Sequence, residues 1–125
     1  MAEAGGFFPG TATIDAYGRG GFRFAGMSHR GSLLCLPRGI AAWPVARVED
    51  VTEAALAPVF AEAEAIDHFL LGCGRETWIL PEALRWGFRD RGIVAEPMST
   101  GAAVRTYNIL LGEKRRVAAG LIAVD

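Results

Sequence analysis

The stretch GIVAEPMSTGAAVRTYNILLG, residues 92–112, changes its grammar halfway along, and that change decides the fold. IVAEP (93–97) is a short β-rich run stopped by Pro97. From Ser99 or Thr100, either able to cap a helix, apolar residues recur at helical spacing until Gly112 closes the run. The same alternation extends to both sides. DHFLLG (67–72) reads as a buried strand, PEALRWGFRDRG (81–92) as a helix opened by Pro81 and closed by Gly92, and RVAAGLIAV (116–124) as the last strand. Strand, helix, strand, helix, strand predicts crossover connections. At least the strands at 67–71 and 93–97 then pair in parallel, with helices covering the sheet.

Upstream the texture is different. TATIDAY and FRFAG flank the glycine cluster of GRGG and predict a hairpin, while SLLCLP (32–37) and GIAAWPV (39–45) read as two further strands. From Val51 the residues Leu56, Val59, Phe60 and Ala63 follow a helical period. Pro58 is best tolerated near a helix start, which puts the secure part of that helix at 55–57 onward. The expectation is an α/β domain with a central mixed sheet, crossover helices and N-terminal β-hairpins. Residues 1–10, rich in Gly, Pro and Ala, are expected to be a flexible leader whose Phe7 and Phe8 dock on the body, and 11–125 a single domain.

Composition narrows the functional classes. The chain has 125 residues, enough for one core, and 13 basic against 14 acidic side chains leave a net charge of -1. That balance gives no long-range field for nucleic acid, so none is expected as a partner. No apolar run approaches the roughly 18 residues of a membrane span. With no secretory leader pattern and two cysteines that make no CxxC pair, a cytoplasmic location is expected. The histidines and acids show no metal-ligand spacing, and neither a metal nor a cofactor is expected.

Chemistry, if present, belongs at the loops leaving the parallel strands, where a crevice forms beside a helix N-terminus. Gly72-Cys73-Gly74 and Ser99-Thr100 are those loops, and they make up the candidate ligand crevice. Gly72-x-Gly74 imitates the start of a dinucleotide fingerprint, with Glu96 near the position of its ribose-binding acid. However, RETWIL separates the glycines from the next helix, and the third glycine is missing. Cys73 as a nucleophile would need a lowered pKa and a base; His68, five residues earlier, is the nearest histidine. A tight turn filled by a small side chain explains the same residues. Glu113 to Arg116 read as a solvated helix end, and Arg85, Arg89 and Arg91 as a wet face with an ion pair or two. Trp78, in a loop, is a candidate contact aromatic. Asn108, a poor helix former at mid-helix, suggests a side-chain hydrogen bond.

The segments IDAYGRGGFRFAG, SLLCLP, IAAW, FLLGCG and RGIVAEPMSTGAAVRTYNILLGEKRRVAAGLIAV together resemble an uncharacterised-domain family that includes assembly factor 3 of mitochondrial respiratory complex I. The resemblance runs from about Ile14 to Val124, and implies a three-layer α/β fold. By that resemblance Gly72, Gly74, Thr100, Asn108 and Glu113 are family-typical positions and Trp43 a packing one. Where the family's loop reads Gly-Thr-Gly, this chain has Cys73. The function implied is that of a non-catalytic protein-binding or assembly module, with a protein partner or a second copy of the chain as its occupant. The competing expectation is a small-molecule-binding protein or enzyme with its pocket at the Gly-Cys-Gly loop.

Overall fold

The structure is a computed structural model that describes residues 7–125. Among the described residues, nine strands and three α-helices follow in the order β1 (Phe7–Pro9), β2 (Ile14–Gly18), β3 (Gly21–Phe24), β4 (Met27–Arg30), β5 (Leu33–Leu36), β6 (Gly39–Ala42), α1 (Glu53–Ala61), β7 (His68–Gly72), α2 (Glu82–Asp90), β8 (Val94–Met98), α3 (Thr100–Gly112) and β9 (Val117–Leu121). Six strands form one sheet in the order β1-β6-β5-β9-β7-β8, and β2-β3-β4 form a separate antiparallel sheet. β7 is parallel to both β8 and β9, whereas β5 runs antiparallel to β9 and β6. The central sheet is therefore mixed, as expected from the parallel crossover strands combined with antiparallel strands from the N-terminal part.

The two faces of this sheet are both buried, which explains why its central strands read as continuous apolar runs. On one face Phe69, Leu71 and Cys73 of the β7 segment join Leu34, Leu36, Leu56, Val59 and Phe88 beneath α1 and α2. On the other, Leu70 joins Leu33, Cys35, Val104 and Tyr107 beneath α3 and the small sheet, with Phe22 and Phe24 closing the layer. Odd and even residues thus serve different cores, the period of two expected of a strand. Phe69 and Leu70 are fully buried, and each contributes about 1.5–3 kcal/mol through removal of its side chain from water. α2 leads from β7 to edge strand β8 on the first face, and α3 leads back across to β9 on the second. The result is three layers.

Several elements depart from the sequence expectation. The leader expected over 1–10 is divided: Phe7–Pro9 pair with Ala41, Ile40 and Gly39 of β6 as an edge strand, and residues 1–6 lie outside the described residues. The first hairpin, β2–β3, does not enter the mixed sheet, because β4, unmarked in the sequence, completes a sheet of its own with it. α1 starts at Glu53, earlier than expected, since the Thr52 hydroxyl caps it by accepting from Ala55 N at 3.2 Å. Pro58 falls inside that helix. The carbonyl it leaves without a partner belongs to exposed Ala54, where water can satisfy it. Pro97 does not stop β8 either; it lies within the strand, and an edge strand tolerates it because one row of its backbone groups faces outward.

Candidate functional site

The loops at 72–74 and 98–101 lie side by side. Gly72 is in register with Met98, Cys73 N donates to Met98 O at 2.7 Å, and Thr100 N donates to Gly74 O at 2.9 Å. Gly72, Cys73, Gly74, Ser99 and Thr100 are thereby brought into one cluster. Gly72 permits the approach, since a Cβ there would stand 3.0 Å from Thr100 Cα.

The polar groups of this cluster are bonded to one another. The Thr100 hydroxyl, fully buried, donates to Ile122 O at 2.7 Å and accepts from Gly74 N at 2.9 Å. Ile122 N in turn donates to Gly72 O at 3.0 Å. Ser99 Oγ caps α3 by accepting from Ala102 N, and Ser99 O accepts from Ala103 N. The Tyr17 ring lies over Gly101, where a Cβ would run into its hydroxyl. The α3 N-terminus is therefore bonded to its own chain or covered by it, and none of the three cavities described below opens onto it.

Cys73 is buried, and its thiol donates weakly to Leu71 O at 3.5 Å. Burial pushes its pKa above the ordinary value of 9.0, with the backbone of Met98 working weakly the other way. That is the reverse of what activates a nucleophile. His68 is on the opposite face of the strand by alternation, so the two do not form a thiol–imidazole pair. Helix α2 begins only at Glu82, well beyond the glycines, and leaves no phosphate cradle at Gly72–Gly74. Cys35, also free, is buried, and its pKa is pushed up to about 12 by burial, with a hydrogen bond to Tyr107 opposing. Among the described residues no cluster of His, Cys, Asp and Glu has metal-binding geometry.

The remaining residues singled out in the sequence are dispersed and structural. Trp43 is buried, donates from Nε1 to Ala55 O at 3.0 Å, and lies across Gly120, where a Cβ would meet its ring at 2.6 Å. Asn108 does make side-chain hydrogen bonds, and both go to the backbone of Ile14. Glu113 is the C-cap residue of α3, with an exposed 4.0 Å contact to Arg115. Trp78 is half-buried against the core; Ile79, at 83%, just before α2, and Trp86, at 51%, within it, are exposed, as are Phe7, Tyr17, Val94 and Ile109 elsewhere. The expected ion pairs along α2 are absent among the described residues. Arg89 lies over the Trp86 ring at 5.1 Å and Arg91 over Phe60 at 4.1 Å, so cation–π contacts take their place.

Two other features leave no mark in the sequence. Ser32, buried, donates from Oγ to Val45 O at 2.6 Å and accepts from Ala123 N at 3.0 Å, joining three segments. Three cavities also open elsewhere. An apolar one of about 220 Å³ lies between β1 and the small sheet, lined by Phe8, Phe24, Met27 and His29 among others. An open concavity of about 640 Å³ covers β2, β3 and β4, and a third of about 370 Å³ lies beside Trp43 and α1.

Residues 14–122 match the family described as Protein of unknown function (DUF498/DUF598). An uncharacterized protein of Rhodobacter capsulatus is 44% identical over 115 residues, covering 92% of this chain and 87% of its own length. The NADH dehydrogenase [ubiquinone] 1 alpha subcomplex assembly factor 3 of Danio rerio is 32% identical over 109 residues; the match spans 87% of this chain and 63% of that protein. Among solved structures, an outer membrane protein from Bartonella henselae superposes with a TM-score of 0.91 at 50% identity, over 94% of this chain and 99% of its own. With the mixed three-layer fold and these matches together, the chain belongs to the DUF498/DUF598 family, which also takes in the complex I assembly factor 3 proteins that its sequence resembles.

Proposed function

We propose that this chain is a non-catalytic protein-binding module of the assembly-factor kind. The observation that carries the reading is the closed hydrogen-bond ring around Thr100: both bonds of its hydroxyl are spent inside the chain, at the place where a ligand crevice would otherwise open. We read Gly72, Cys73, Gly74, Ser99 and Thr100 as a joint that locks α3 against β7 and the end of β9. The buried, proton-retaining Cys73 thiol supports that reading. Trp86 and Ile79, exposed on the α2 side, offer the apolar area that a protein partner would cover. The name of the vertebrate relative, an NADH dehydrogenase assembly factor, makes NADH dehydrogenase the client to test first. A cytoplasmic location belongs to the same proposal; no helix among the described residues is long and apolar enough to cross a membrane.

The experiment is an affinity capture from native extract with the wild-type chain and with Trp86→Ala, alongside the assembly state of NADH dehydrogenase in cells lacking the protein. Recovery of that enzyme's subunits by the wild type, reduced by Trp86→Ala, with less assembled enzyme in the deletion strain, is the expected result. A stoichiometric small molecule co-purifying in place of any protein would favour the competing reading, a ligand pocket at the Gly-Cys-Gly loop, and would defeat this one.

A further inference from the structure

The separate sheet β2-β3-β4 has one face turned to the core, through Phe22, Phe24 and His29, and one face turned outward. Over that outer face lies the open concavity of about 640 Å³. Its floor is nearly bare, because Gly18, Gly21 and Ser28 present little or no side chain. Arg19, Arg23 and Arg30 also line it, and among the described residues no acidic one does. The ion pairs found among the described residues, Arg116–Asp67 and Arg115–Glu113, both lie elsewhere, so none of these three arginines is neutralised by one. A chain of net charge -1 has thus gathered three cations on one small surface.

We propose that this concavity is a docking site for an extended acidic segment of a partner protein. The spacing of the cations supports the choice of occupant. Ser28 is opposite Arg23 and Arg30 is opposite Gly21, which makes Arg23 and Arg30 diagonal neighbours on the outer face, about 7–8 Å apart at their stems. An extended peptide rises about 3.4 Å per residue, so carboxylates at alternate positions are about 7 Å apart and all point to one side. Alternate acids therefore match the two arginines in register. Arg19, held in the β2–β3 turn with φ 53, extends the row of positive charge. The bare floor lets a backbone lie close to the sheet, and guanidinium groups then hold carboxylates in bidentate fashion. Nucleic acid fits less well. Single strands need exposed aromatic faces for their bases, whereas Phe22 is buried and the half-exposed Tyr17 ring already lies against Gly101.

This inference rests on the protein-binding reading above but concerns a different surface, and its test is separate. A fluorescent heptapeptide with Glu at alternate positions, and a second with the same residues in a block, are titrated against the chain at several salt concentrations. The alternating peptide is expected to bind more tightly, and to weaken steeply as salt rises. Arg23→Gln combined with Arg30→Gln is expected to lower its affinity at least about tenfold, and Ser28→Glu, which puts a carboxylate on the floor, to do the same with all three arginines intact. Circular dichroism matching the wild type establishes that the variants are folded. Equal affinity for the two peptides, affinity unchanged in the variants, or displacement at lower concentration by a single-stranded oligonucleotide of equal charge would each overturn the proposal. Loss of partner capture through Trp86→Ala bears on the module reading and leaves this outcome unaffected.

Discussion

Asn108 holds Ile14 by both of its backbone polar groups: Oδ1 accepts from Ile14 N and Nδ2 donates to Ile14 O, each at 2.9 Å. A side chain in the middle of α3 thus acts as the missing neighbour of strand β2, and fastens the small sheet to the main body across 94 positions of sequence. Asn108→Ala leaves a buried residue's N–H and C=O without partners. The expected loss is about 1–3 kcal/mol of stability, read by urea unfolding, together with faster hydrogen exchange at the Ile14 amide. A change under roughly 0.5 kcal/mol with unchanged exchange would refute the tether.

Thr100→Val keeps the shape of the side chain and removes the hydroxyl that joins Gly74 N to Ile122 O. Because the position is fully buried, the variant is expected to lose about 1–3 kcal/mol, with Thr100→Ser recovering most of it. Chemical denaturation of the three proteins decides the matter; a Val variant as stable as the parent would mean that the ring around Thr100 contributes nothing.

Gly120→Ala would drive a methyl group into the Trp43 ring at 2.6 Å and the Phe69 ring at 2.9 Å. Both rings are buried and unable to retreat freely, so overpacking of about 1–3 kcal/mol is expected. Thermal unfolding followed by tryptophan fluorescence reports both the loss and the displacement of Trp43. An unchanged midpoint and spectrum would argue against the close packing.

Stability should fall in alkali. The Cys35 pKa is raised from 9.0 to about 12 and that of its partner Tyr107 is also raised, chiefly by burial and further by Cys35. Below pH 9 both groups keep their protons in either state and the contribution is fully present. Between pH 9 and 12 the unfolded chain releases the Cys35 proton while the folded chain retains it, so stability declines as pH rises through that window. Denaturation midpoints across this range should show the decline, and Cys35→Ala should make it shallower, leaving above about pH 10 the part due to Tyr107, whose pKa is raised chiefly by burial.

Cys73 should be slow to react with iodoacetamide at pH 8, since its thiol is buried and its pKa lies above the ordinary thiol value. Cys73→Ser is expected to leave fold and partner capture unchanged. Rapid alkylation of the folded protein, or a measured activity that disappears on this substitution alone, would restore a chemical role to the thiol.

Much of this architecture was legible in local pattern. The period-two run of β7, the Pro81 and Gly92 boundaries of α2 and the Ser99 cap of α3 are each written within a few neighbouring residues, and the crossover rule converts them into parallel pairing. β4 escaped notice because Met27–Arg30 has only His29 buried and the strand is defined by its partner β3 rather than by its own composition. β1 was hidden for a similar reason: three residues of an edge strand carry too little periodicity to register, and only pairing with β6 fixes them. The mid-helix Asn108 was visible as an anomaly, but its partner Ile14 was not.

By itself the sequence determined the order of the elements from β7 to β9, the helices covering the sheet and the meeting of two turns at one rim, since these follow from hydrophobic period, capping residues and chain connectivity. Whether that rim is open or closed was decided only by the tertiary structure. The Thr100 hydroxyl reaches partners 26 and 22 residues away, and a hydrogen bond between distant segments leaves no periodic trace in the chain. The grouping of Arg19, Arg23 and Arg30 on one bare surface is of the same kind, because strand register brings together charges whose spacing in sequence is irregular.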